Sequence, residues 1–377
     1  VRLKSGKHVL VVSGGGDGPV AGGVGRLIAY LRDHWAADPN AIPTLVLDSR
    51  GDGGALSAAR HFSNAAAALL RERLAGRAVC AHLHMTTRGS AARKSLLCAL
   101  CRLLGLPVVL HLHGADFFEF AAALPWPLAT LLRAALASAR IIIVIGTDWQ
   151  ARLTQDFRIP ASRIRVVPNG VPAAPRAQPV WPPHILFLGR LGARKGVGEL
   201  ISALASPAMA NRSWTATIAG DGDGAAYHEQ IEACFLRARI RTPGWQTPAQ
   251  TQALLAGATI LVLPSHHEVM PLAVLEAMAR GIAIVATPVG CLPDILLDGV
   301  NASLVPPGDP VRLSAALAHL IDSPRERTRL GDAALQLFQE RLSIDAAAAQ
   351  IQAIYRQAAC ARHRRLRPHI SVAGPAT

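Results

Sequence analysis

The chain has 377 residues, 51% of them hydrophobic and 17% charged, a length that exceeds one ordinary α/β core and fits two domains of common size. Lys and Arg number 39 against 25 Asp and Glu, and the formal charge of +14 favours anionic partners: a nucleotide diphosphate, nucleic acid or an anionic membrane face. No basic-aromatic ladder, finger or helix-turn-helix pattern accompanies that charge, which makes nucleic acid the weaker choice.

No apolar run reaches the roughly eighteen residues of a membrane span, and no leader pattern opens the chain, so a cytosolic protein starting directly on a strand is expected. Cys80, Cys98, Cys101, Cys234, Cys291 and Cys360 are scattered and resemble no disulfide framework.

His8 to Val12 reads as a first strand, followed by the loop SGGGDGPVAGGVG and a helix from about Arg26 to Trp35. The glycines of that loop allow tight turns and close approach of backbone amides to a ligand, but their spacing fails the G-x-G-x-x-G fingerprint. Two readings stay open: an anion- or acceptor-facing loop in which Gly22, Gly23 and Gly25 present amides at a helix N-terminus, or a mobile surface loop.

Thr44 to Leu47 is a second strand, Ser57 to Leu74 an alanine-rich helix and Val79 to Leu83 a third strand. The next helix carries Arg88, Arg93 and Lys94 in its opening turns, where cations oppose the helix dipole. An anionic acceptor or a phospholipid surface would compensate them, and so would plain solvation. The C-x-x-C pair Cys98 and Cys101 sits in a leucine-rich helical pattern and reads as packing.

Pro107 to Leu110 is a strand that runs into HLHGADFFEF. His111 and His113 share a face by period two, but no third metal ligand is singled out. His113, at the strand exit before Gly114, is placed to donate a hydrogen bond into a cleft or shuttle a proton; the alternative is a core histidine. A helix over Trp126 to Ala139 and a strand over Arg140 to Ile145 follow. A short helix and last strand then lead to Asn169-Gly170, and Pro172, Pro175, Pro179, Pro182 and Pro183 stiffen a connector.

The strand-helix theme then repeats. His184 to Leu188 is a strand, and GRLGARKGVGELISAL a loop entering a helix, with Arg190 and Lys195 supplying two cations suited to a diphosphate. Trp214 to Ala219 is the next strand, after which Asp221 and Asp223 read as a turn ahead of a helix rather than a metal site. Arg241 to Gly244 is a short strand and Thr247 to Leu255 a helix.

Ile260 to Leu263 is a buried strand stopped by Pro264, and Leu272 to Met278 a helix. Glu268, in the loop after the strand, is expected to stay solvent-accessible in the crevice beyond the sheet. Glu276, among Val274, Leu275, Ala277 and Met278, is either a buried carboxylate needing hydroxyl donors from a ribose or sugar, or a surface group on an amphipathic helix. Helices run to about Ala361, and Arg362, Arg364, Arg365 and Arg367 form a basic end.

GRLGARKG (189–196), PSHHEVMPLAVLEAMARGIAIVATPVG (264–290) and VVPNGV (166–171) resemble the nucleotide-sugar lobe of the family-4 retaining glycosyltransferases. GGVGR (22–26), HLHM to RGSAARKS (82–95) and HLHGADF (111–117) are similar to bacterial members that build exopolysaccharide or envelope glycans.

The resemblance implies an α/β fold of two Rossmann-like domains facing a central cleft, the GT-B architecture. It divides the chain into an acceptor-side domain over 1–171, a proline-rich linker over 172–183 and a nucleotide-sugar domain over 184–350, with 351–377 a helix end and basic tail free to return to the first domain.

It also implies that Arg190 and Lys195 hold the donor pyrophosphate, Glu268 contacts the transferred sugar, and Glu276 holds the ribose. His113 would approach the sugar or its phosphate, and Gly22 and Gly23 the diphosphate and acceptor. The implied reaction is metal-independent hexose transfer with retention, from GDP-mannose by slight preference or a UDP-sugar, to a glycan or lipid-diphosphate-linked acceptor at an anionic inner membrane. Val269, Cys291 and Asp294 depart from the family's usual residues near the sugar. A paired-carboxylate glycoside hydrolase and a non-catalytic nucleotide-sugar-binding protein are the rivals.

Overall fold

Within each sheet every strand is followed by a helix or a 3-10 turn before the next, the crossover that parallel neighbours need, and both sheets are parallel throughout. The computed structural model describes residues 6–15, 22–178 and 180–360; the expectations for Gly16, Gly18, Pro179 and the basic end from Arg362 lie outside these.

The first sheet comprises β1 (His8–Ser13), β2 (Thr44–Asp48), β3 (Ala78–Met85), β4 (Val108–Leu112), β5 (Ile141–Val144) and β6 (Ile164–Val166), in spatial order β2-β1-β3-β4-β5-β6. Helices α1 (Gly23–Ala37), α2 (Ala55–Leu74), α3 (Gly89–Leu103), α4 (Phe117–Ala122), α5 (Trp126–Ser138) and α6 (Thr147–Asp156) connect its strands. The second sheet comprises β7 (His184–Leu188), β8 (Thr215–Ala219), β9 (Ile240–Gly244), β10 (Ile260–Leu263), β11 (Ala283–Ala286) and β12 (Ser303–Leu304), in order β12-β11-β10-β7-β8-β9. Its helices are α7 (Val197–Leu204), α8 (Pro207–Ala210), α9 (Gly224–Ala233), α10 (Pro248–Ala256), α11 (Leu272–Met278), α12 (Pro310–Asp322) and α13 (Pro324–Leu337).

These two orders are what the α/β expectation requires, and each contains one point where the winding reverses: between β1 and β3, and between β7 and β10. Loops leaving the carboxyl ends of those strand pairs diverge and open a crevice. The interior strands are buried on both faces, β3, β4, β5, β10 and β11 entirely so. Each fully buried aliphatic side chain there contributes about 1.5–3 kcal/mol.

After a π-type turn over Phe338–Leu342, the last helix, α14 (Ile344–Cys360), leaves the second lobe and packs on α1, β3 and β4 of the first. Gln352 fixes it there, its Oε1 accepting from Ile42 N at 2.9 Å and its Nε2 donating to Ile42 O at 3.2 Å. The crossing needs Gly170, where a Cβ would meet Ala347 Cβ at 2.8 Å and Ser343 O at 2.6 Å. The lobes also touch near the sheet ends: Asp294 accepts from Thr147 N at 2.9 Å and from Thr147 Oγ1 at 3.1 Å, capping α6 from the other domain.

Cys98 and Cys101 are both fully buried on α3, and burial raises the Cys101 thiol to about 12, so neither is poised for redox or metal chemistry. None of the described helices is long and apolar enough to cross a membrane.

Candidate functional site

Between the lobes lies a cleft of about 790 Å³ lined by Gly22, Gly23, His113, Arg190, Lys195, Glu268 and Glu276 among others. Its floor on the second lobe is the switch point between β7 and β10. The chain leaves β7 into Gly189, where Gly220 packs with φ +155° so closely that any Cβ would overlap Gly189 O. A 3-10 turn over Ala193–Lys195 then brings Lys195 across to the loop after β10.

Lys195 Nζ donates to Glu268 Oε1, and Ser265 Oγ donates to the same oxygen at 2.8 Å. Glu268 is only 8% exposed, which corrects the expectation of a solvent-accessible loop carboxylate. The loop is drawn inward by three tethers. Arg194 Nη1 donates to His267 O at 2.8 Å, His266 pairs with Glu199 at 2.8 Å, and Gly290, at φ +61°, has no room for a Cβ against Glu268 O. Arg190 is exposed and has no ion-pair or hydrogen-bond partner among the described residues.

Glu276 is 3% exposed on the wholly buried face of α11, so it is not a surface carboxylate. Its Oε1 accepts from Tyr30 Oη at 2.8 Å and pairs with Arg26 Nη2 at 3.1 Å, both from α1 of the opposite lobe. Arg26 Nε also donates to Tyr30 Oη at 2.9 Å, closing a triangle. The second oxygen, Oε2, is buried without a partner among the described residues. Burial raises the Glu276 pKa against the pull of Arg26 and Tyr30, and burial followed by the Glu276 charge pushes Tyr30 up to about 12.

His113 reaches the cleft from the end of β4, but it belongs to a quartet. Register pairs His84 with His111 across β3 and β4, and alternation puts His82, His84, His111 and His113 on one face. His84 Nδ1 and His113 Nε2 lie 2.9 Å apart, His82 Nε2 and His111 Nδ1 3.3 Å, and His82 Nδ1 meets Tyr355 Oη of α14 at 2.6 Å.

Burial holds His113 down to about 3, and burial with the neighbouring His113 does the same to His82, so the rings are neutral at pH 7. His113 therefore fits a neutral hydrogen-bonding role in the cleft, not that of a proton shuttle. His82, His84 and His111 bring ring nitrogens within 4.8 Å of one another. They include no carboxylate, and the Lys94 charge already bears on His84, so a divalent cation there would add uncompensated charge.

A second depression of about 700 Å³ on the back of the first lobe carries Arg102, Arg140 and Arg163. Arg163 is committed to backbone carbonyls, donating to Ala137 O at 2.7 Å and to Ala139 O, so its charge does not face the opening.

Read from the sequence, Arg26, His82 and His84 are only letters of the resembling motifs, with no role, and Tyr30 has none. Arg26 and Tyr30 lie one helical turn apart on the helix entering from Gly22 and Gly23, and that spacing was the only local signal.

Two Rossmann-type lobes with a charged cleft at the strand ends define the GT-B class of glycosyltransferases. The chain belongs to glycosyltransferase family 4 of that class: residues 5–174 match the Glycosyltransferase Family 4 model and residues 175–337 the Glycosyl transferases group 1 model.

Among curated relatives, an alpha-D-kanosaminyltransferase from Streptomyces kanamyceticus is 26% identical over 302 residues, 74% of this chain and 78% of the relative. An MMP alpha-(1->4)-mannosyltransferase from Mycolicibacterium hassiacum is 30% identical over 221 residues, 58% of this chain and 54% of the relative. Among solved structures, sucrose-phosphate synthase from Thermosynechococcus elongatus superposes with TM-score 0.75 at 18% identity, covering 93% of this chain and 98% of that one. Anabaena HepE in complex with UDP-glucose gives 0.71 at 18% identity, with 93% and 99% covered.

The chain is thus a glycosyltransferase, and the hydrolase alternative falls. In the cleft neither carboxylate is set for hydrolysis: Glu268 is neutralised by Lys195, and Glu276 by Arg26.

Proposed function

We propose that the cleft binds a nucleoside diphosphate sugar and transfers its hexose, with retention and without a bound metal, to a glycan or lipid-diphosphate-linked acceptor. The observation that carries this reading is the convergence of Arg190, Lys195 and Glu268 at the carboxyl ends of β7 and β10, with Glu276 eight residues further along the chain. Departure of the diphosphate builds negative charge, and cations fixed at that place in a water-poor cleft favour the transition state over the ground state. Arg190, without an internal partner, and Lys195, held by Glu268, are the groups that meet that charge. Glu276 Oε2 is a free buried acceptor of the kind a ribose hydroxyl satisfies. Neutral His113 then hydrogen-bonds the sugar, and the loop at Gly22 and Gly23 borders the diphosphate.

The relatives include a mannosyltransferase, and the structural neighbours a complex with UDP-glucose; these support GDP-mannose and UDP-glucose as the first donors to try. Cell-envelope or exopolysaccharide synthesis at the cytoplasmic face of the membrane, reached by the positive charge of the chain, completes the proposal.

Thermal shift and hydrolysis assays against UDP-, GDP- and ADP-sugars test it. One base is expected to raise the midpoint well above the others, and the corresponding sugar nucleotide to be slowly hydrolysed. Stabilisation without turnover on any acceptor would favour a non-catalytic binding protein. No stabilisation by any nucleoside diphosphate would end the donor assignment.

A further inference from the structure

The first sheet has its own switch point, between β1 and β3, and the proposed donor site uses only its rim at Gly22 and Gly23. Three cations gather there. A Cβ at exposed Gly14, just past β1, would lie 3.8 Å from each of Arg93 Nη2, Lys94 Nζ and Arg50 Cβ. Lys94 is 0% exposed, yet its hydrogen-bond partner among the described residues is a neutral hydroxyl, Ser49 Oγ at 2.5 Å, which itself donates to Ser13 O. Arg93 Nε is buried with no partner among the described residues. The nearby acid, Asp48, accepts from the backbone amides of Gly15, Arg50 and Gly51 at 2.7–2.9 Å; its charge bears on Arg93 and Lys94 but it forms no ion pair with either.

Burial, then the charge of Arg93, lowers the Lys94 pKa to about 7. Both Arg93 and Lys94 stand near the N-terminus of the 15-residue α3, whose first turn holds no acidic residue. The helix dipole and the two side chains therefore add to one positive potential, opposed among the described residues by Asp48 alone. Burying an ammonium this way is unfavourable unless an anion completes the pocket.

We propose that Lys94, Arg93 and Arg50 form an anion site at the first lobe's switch point, and that it takes a phosphate or diphosphate group carried by the acceptor. The group would enter beside Gly14, accept from Lys94 Nζ and Arg93, and have Arg50, which also lines the interlobe cleft, as its bridge to the reaction centre. Its assignment to the acceptor rests on the transferase reading; the anion site itself does not.

Calorimetric titration of the full chain with inorganic pyrophosphate tests the site. Wild type is expected to bind two equivalents, one of them displaced by a nucleoside diphosphate. Lys94→Met should bind only the displaceable equivalent, the other weakening roughly tenfold or more. In phosphate-free buffer its melting midpoint should not fall, since a buried unpaired charge has been removed. A nucleotide-insensitive equivalent retained within threefold in Lys94→Met would overturn the proposal, as would a lowered midpoint, which would make Lys94 a structural strut. If neither protein has a nucleotide-displaceable equivalent while the Lys94-dependent one persists, the donor reading fails and this one stands.

Sedimentation with phosphatidylcholine vesicles carrying a long-chain isoprenyl diphosphate, beside titration with a soluble hexose phosphate, then assigns the source. Lys94-dependent vesicle binding marks a lipid-borne group, and Lys94-dependent hexose phosphate binding alone marks a soluble ester.

Discussion

Lys195→Ala is expected to lower kcat/KM for transfer by about 10²–10³-fold, the usual effect of removing one preorganised charge from a site where the leaving group becomes negative. In the cleft Lys195 Nζ is held by Glu268, which also accepts from Ser265, so a donor diphosphate has to share or break that pair. Sharing strengthens as charge develops on the diphosphate, which places the loss in kcat more than in KM.

Removing the cation also strands a buried carboxylate at a cost of about 3–5 kcal/mol, enough to confuse lost activity with lost fold. Lys195→Met combined with Glu268→Gln removes both charges and should restore the melting midpoint without restoring turnover. Glu276→Ala should also abolish most transfer, with donor affinity weakened. Near-normal turnover in Lys195→Ala and Glu276→Ala together would remove both residues from the site.

Acid should unfold this protein early. His82 and His113 are held down to about 3, and His84 and His111 well below the ordinary 6.5, burial being the first cause for each. Between the folded and unfolded pKa values the unfolded chain binds more protons, so stability is complete above about pH 6.5 and falls as pH drops toward 3. Each ring contributes a slope of about 1.4 kcal/mol per pH unit, and four together about 5 kcal/mol per unit. Against a total of about 5–15 kcal/mol, loss of the fold is expected near pH 4–5.

Lys94 and the other three rings face His84, and Tyr355 faces His82, so no neighbouring acid among the described residues offsets the effect. His111→Leu, whose Nε2 is already without a partner, should flatten the slope of melting midpoint against pH by about a quarter. A midpoint independent of pH between 7 and 4.5 would show that the quartet is hydrated or protonated when folded.

Much of the fold was legible because local signals agreed. Ile260–Leu263 and Leu272–Met278 coincide with their sequence readings, since Pro264 and Pro271 bracket the loop between them and the apolar period does the rest. Thr247 announces α10 through a capping box with Gln250. The short α4 was missed because FFEFAA has no helical period over only six residues.

The site was legible only as a set of residue types. Glu268 read as exposed because loops usually are, and only the tertiary approach of Lys195 and Ser265 draws it inward. Tyr30 meets Glu276 across 246 positions, a contact that no window of sequence contains. Two H-x-H pairs 29 residues apart become one quartet through the register of β3 on β4, and register is not readable from either strand alone.

A crystal structure of the protein with the nucleoside diphosphate that stabilises it most is the most direct measurement. The account predicts phosphate oxygens within hydrogen-bonding distance of Arg190 and Lys195, and a ribose hydroxyl on Glu276 Oε2. A nucleotide bound elsewhere, or one lying in the cleft with those side chains turned from it, would contradict the account.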